Sequence, residues 1–73
     1  MTQHRFEVAI YNETVKKAVN EADPNRTGLS DDWADTRYIE VSADSEDAAR
    51  RRIHSRYPEN RGFVIVEVRK LND

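Results

Sequence analysis

Five arginines between residues 50 and 61, and a tryptophan set among three aspartates, are the side chains of this 73-residue chain with the most chemistry to offer. Arg50, Arg51, Arg52, Arg56 and Arg61, with Tyr57 beside them, are the residue types that grip phosphates and stack on bases. Asp31, Asp32, Trp33 and Asp35, followed by Tyr38, combine the aromatic types that anchor protein–protein contacts with a one-sided charge. The charge is partitioned in the same way. Residues 31–47 carry seven Asp and Glu against one Arg, whereas residues 48–61 carry five Arg against one Glu. Such an asymmetry steers a charged partner, or is simply an acidic stretch screened by its own basic helix.

Other chemistries find little footing. There is no cysteine, so neither a disulfide nor a thiolate metal site can form. His4 and His54 are too few for a histidine-built zinc site, and the aspartates at 31, 32 and 35 lack the glycine and closing glutamate of a calcium loop. The chain has no glycine-rich phosphate loop, no cysteine nucleophile and no serine elbow, and no carboxylate is spaced to orient His54. A domain this small also has difficulty enclosing a substrate pocket without hollowing its core. The expectation is therefore a protein without enzymatic activity and without a cofactor.

Three strands and two helices must position these groups. Residues 5–11 alternate, with Phe6, Val8 and Ile10 on one side, and predict a strand. Asn12 then caps a helix of about ten residues whose apolar positions are Val15, Ala18, Val19 and Ala22, ended by Asp23-Pro24-Asn25. Residues 23–36 form a long acidic loop. Trp33 decides its nature, because an indole is either its recognition residue or the anchor that holds it to the sheet. Arg37 to Ala43 is the second strand, with Ile39 and Val41 inward. Asp44 caps a second helix with Ala48, Ala49, Ile53 and Tyr57 as its buried stripe, and Pro58 stops it. The third strand runs from Gly62 to about Leu71. Its unbroken run Phe63-Val64-Ile65-Val66 predicts a strand covered on both faces, near the centre of the sheet.

Residues 61–68 also resemble the base-stacking strand of the RNA-recognition-motif family. Arg61, Gly62, Phe63 and Val66 fit its basic-Gly-aromatic pattern, while Val64 takes the place of a small residue and Ile65 and Val68 those of two stacking rings. The resemblance spans eight residues, and that family's fold has four strands where this chain offers three. It would imply single-stranded RNA binding through Phe63. The overall charge of −2 and the roughly 100° between successive helix positions argue against one tight arginine patch.

The sequence thus describes a single α+β domain over residues 1–73, a three-stranded sheet with one or two packed helices in β-α-β-α-β or β-loop-β-α-β order. No apolar run is long enough to span a membrane and no signal peptide opens the chain, which points to the cytoplasm. The two glycosylation-like triplets at Asn12 and Asn25 are then coincidental. The expected role is binding another protein or macromolecular complex, as an accessory or inhibitory module of the kind small mobile genomes encode. Asp31, Asp32, Trp33, Asp35 and Tyr38 would make the contact. The alternative is a weak nucleic-acid binder using Arg50, Arg51, Arg56, Tyr57 and Arg61. A sheet face left uncovered by the first helix would be a binding or homodimer surface.

Overall fold

Alternation along the first strand does what the pattern predicts: Phe6, Val8 and Ile10 are buried together on one face of β1 (His4–Asn12). The computed structural model describes residues 3–71. After β1 come α1 (Glu13–Asn20), a 3₁₀ turn (Asp31–Ala34), β2 (Arg37–Ala43), α2 (Glu46–Arg56), a second 3₁₀ turn (Glu59–Arg61) and β3 (Phe63–Lys70). The fold is a small α+β domain with one antiparallel three-stranded sheet in the order β2-β1-β3.

That order corrects the place of the third strand. β1 is central, and β3 lies at an edge. The run Phe63–Val66 is therefore not a doubly covered strand, and its second face is open. A bulge explains the pattern. Ala9 pairs with Glu67 and Ile10 with Ile65, so Val66 is an extra residue between them. The bulge resets the alternation, which lets Phe63, Ile65 and Val68 all share the inner face although 65 and 68 differ by an odd number. Val64 and Val66 are left exposed.

α2 covers the inner face. Ala49 and Ile53 are buried, and the small Ala49 lets the helix approach Phe6 and Ala43 while Ile53 meets Val8, Ile10 and Phe63. Its cap is Ser45 rather than Asp44: the Ser45 hydroxyl accepts from the Ala48 amide at 3.1 Å. The first helix is shorter than its apolar spacing suggests. Only Val15 is buried, Val19 and Ala22 are exposed, and the backbone turns left-handed at Ala22.

One polar residue ties β1, α1 and β3 together. Asn12 is fully buried; its Oδ1 accepts from the Val15 amide at 3.0 Å and its Nδ2 donates to the Arg61 carbonyl at 3.0 Å. The Glu13 amide adds a 2.7 Å bond to the Gly62 carbonyl. Asn12→Ala removes a helix cap and strands the buried Val15 amide and the part-buried Arg61 carbonyl, so a loss of about 2–4 kcal/mol is expected. Urea unfolding measures it, and a loss below about 1 kcal/mol would show that water satisfies the junction.

Candidate functional site

Three rings close the end of the core where the acidic loop meets the sheet. Trp33, Tyr57 and Phe63 pack pairwise with centroids 5.1–5.2 Å apart. The Arg37 guanidinium lies over the indole at 5.1 Å. Trp33 is half-buried and packs against the cluster of Val8, Ile10, Ile53 and Phe63. Of the two roles its sequence position leaves open, anchoring the loop is the one this packing performs.

The loop itself is built around Asn25, which in sequence reads only as part of the stop after the first helix and of a coincidental glycosylation-like triplet. Its Nδ2 donates to the Leu29 carbonyl at 2.7 Å and to Asp31 Oδ1 at 2.9 Å, and its Oδ1 accepts from the Thr27 amide and hydroxyl. Asp31 thereby closes the loop. Asp32 and Asp35 are exposed, and their carboxylates have no partner among the described residues. Tyr38 lies apart from these acids, on the outer face of β2. It borders the cleft that Trp33, Arg37, Ile39 and Tyr57 also line.

The outer face of the sheet is divided across its length. One half carries paired charges: Arg5 with Glu40, and Arg69 with Glu7 at 2.9 Å. The other half carries Tyr38 and the exposed Glu67 on either side of Ala9, and Tyr11 opposite Val64, with the bulged Val66 next to Glu67 on β3. Tyr38 is 68% exposed, Val66 58% and Val64 38%. Tyr11 donates its hydroxyl to Glu13 at 2.7 Å, and that bond, then desolvation, then the nearby charge raise its pKa above the usual tyrosine value. α2 packs on the inner face, and α1 reaches this outer face at Tyr11, where Lys16 lies over the ring at 5.0 Å, while Tyr38 and Val66 stay open. Val64 and Val66 belong to it, whereas Phe63 and Ile65 face α2.

The arginines do not converge. Arg50 pairs with Glu46 at 4.0 Å and, with His54, borders a cleft toward β3. Arg52 and Arg56 lie on the other flank of α2, beside β2. Arg51 is exposed and lines neither cleft. Arg61 sits in the second 3₁₀ turn, where its carbonyl serves Asn12. The Tyr57 ring is committed to the Trp33–Phe63 cluster. Phe63, the one ring of the RNA-motif resemblance, is buried under α2.

Comparison with protein-family models, curated proteins and solved structures finds no match. Among the described residues no three His, Asp or Glu side chains group as metal ligands. No described helix is long and apolar enough to cross a membrane. What the arrangement offers is surface: an aromatic–aliphatic half-face on the sheet, a groove beside β2, and an acidic turn at the head of that strand.

Proposed function

We propose that this chain is a protein-binding module that docks its partner on the outer face of the sheet, with Tyr38 at the centre of the contact. The observation that carries the reading is the exposure of Tyr38 on β2 and of Val64 and Val66 on β3, on the one face of the sheet that α2 leaves open. Solitary exposed apolar residues are ordinary, but a tyrosine and two valines exposed on either side of the central strand, on one face of one sheet, have the composition of an interface core. The ion pairs Arg5–Glu40 and Glu7–Arg69 supply a polar rim on one side. Asp32 and Asp35, unpaired at the head of β2, add a negative potential that speeds encounter with a complementary surface. Accessory or inhibitory action on the bound partner is the form this proposal takes.

The test is site-directed photo-crosslinking in the native host. Benzoylphenylalanine replacing Tyr38 should give one discrete adduct with a second polypeptide, and the same probe replacing Arg51 should give none. Val66→Glu, at an exposed position, should change stability by no more than about 0.5 kcal/mol. It should weaken the isolated complex about 30-fold, the effect of losing a hot-spot contact. Adducts only between copies of this chain would make the face a homodimer interface. No adduct at position 38, or equal adducts at both positions, would end the reading.

A further inference from the structure

The free edge of β2 makes a second surface, and it rests on observations separate from the open face. The Leu71 amide donates to the Arg5 carbonyl at 2.8 Å, so the main chain of Arg5 addresses β3. Neighbouring residues of a strand point their main-chain groups in opposite directions, so those of Phe6 and Val8 address β2. Phe6 is opposite Val41 and Val8 opposite Ile39. The amides and carbonyls of Tyr38, Glu40 and Ser42, between and beside these, therefore point away from the sheet. No loop or side chain of the described residues hydrogen-bonds to them. An unprotected edge of this kind is a template for another strand.

Beside that edge runs a groove of about 410 Å³ between β2 and α2. Ile39, Val41, Ile53 and Tyr57 give it apolar walls, and Arg52 and Arg56, one helical turn apart, stand over it. Neither arginine has a carboxylate partner among the described residues. Glu40 also borders the groove, but Arg5 holds its carboxylate on the outer face. A strand added to β2 would place alternate side chains in this groove, under two unanswered positive charges.

We propose that the β2 edge and its groove bind an extended acidic peptide segment of a partner protein as a fourth strand. Main-chain bonds to Tyr38, Glu40 and Ser42 supply a sequence-independent part of the affinity. Selectivity comes from acidic residues at alternate positions meeting Arg52 and Arg56 through charge-assisted hydrogen bonds. Asp32 and Asp35 precede β2, and Asp44, Glu46 and Asp47 follow it. They repel negative charge at both ends, so the acidic positions fall in the middle of the segment.

A randomised library of short displayed peptides, selected on the purified chain, tests this. The enriched sequences should carry alternating acidic residues at their centre with β-branched residues between them. A synthetic peptide of that consensus should shift the amide NMR signals of Tyr38, Glu40 and Ser42 and protect them from hydrogen exchange. Ser42→Pro removes an outward amide without touching the ladder to β1, and should abolish binding. Arg52→Gln and Arg56→Gln, both at exposed positions, should each weaken it about ten-fold, and they decide the matter should Ser42→Pro not fold. Enrichment of basic or helical sequences, or none, overturns the proposal. So does binding that maps to Val64 and Val66, binding indifferent to both arginine changes, or an oligothymidylate that occupies the groove more tightly than the peptide.

Discussion

Replacing Gly62 with alanine is expected to cost about 3 kcal/mol and to lower the unfolding temperature by more than about 10 °C. Two effects add. Gly62 follows the second 3₁₀ turn with φ +96°, a conformation that strains any residue with a Cβ. A Cβ there would also overlap Thr14 Oγ1 and stand 2.8 Å from Asn12 Oδ1. The threonine hydroxyl can rotate away. Asn12 cannot, because it is fully buried and bonded at both ends of its amide, so the clash is transmitted to the cap of α1 and the start of β3. Gly28 provides the control: its φ is +80°, but a Cβ at that position would meet nothing within 4 Å. Gly28→Ala should show the backbone strain alone, about 1 kcal/mol. Paired thermal unfolding curves separate strain from clash. Equal losses in the two variants would mean that the Asn12 junction yields freely.

The same junction shows which parts of the architecture are legible in sequence. The alternation of Phe6, Val8 and Ile10, the Asn12 cap and the Ala49–Ile53 stripe each depend on local spacing, and each is where the spacing puts it. Strand order does not depend on local spacing. Four consecutive apolar residues at 63–66 read as a central strand because alternation assumes an unbroken ladder. A bulge at Val66 breaks that assumption, and no residue type announces it. The candidate surface is affected in the same way. Tyr38 reads as a contact residue from its type and neighbours, but Val64 and Val66, which share its face, read as core. Arg50, Arg51 and Arg52 are contiguous along the chain and dispersed around α2. Gly62, which fits an RNA-motif pattern, is required instead by a left-handed turn and a crowded approach. Asn25 reads as a helix stop, but its role as the loop's hydrogen-bonding centre is not legible because its partners at 27, 29 and 31 are loop atoms with no period.

Trp33 offers the sharper test of how loop and sheet depend on each other, since a recognition residue and an anchor respond oppositely to truncation. Trp33→Ala should lose about 2–3 kcal/mol, somewhat below the range for a fully buried aromatic because the indole is only half-buried. A recognition residue standing free of the core would lose almost nothing. Trp33→Phe retains a ring near Tyr57 and Phe63, and should recover more than half of the loss while giving up the larger face under Arg37. The loss should also be uneven along the chain. Trp33 links the 3₁₀ turn to Tyr57 and Phe63, whereas the Asn25 bonds act only within the loop. In Trp33→Ala the amides of Leu29 and of residue 33 should therefore exchange much faster. Those of Val8 and Ile10 in the central strand should change only by the fall in global stability. A uniform change across loop and sheet would mean that the two unfold as one unit. The effect should reach Tyr38 as well: β2 begins just after the loop, so releasing Trp33 frees its Arg37 end and loosens the edge on which both proposed contacts depend.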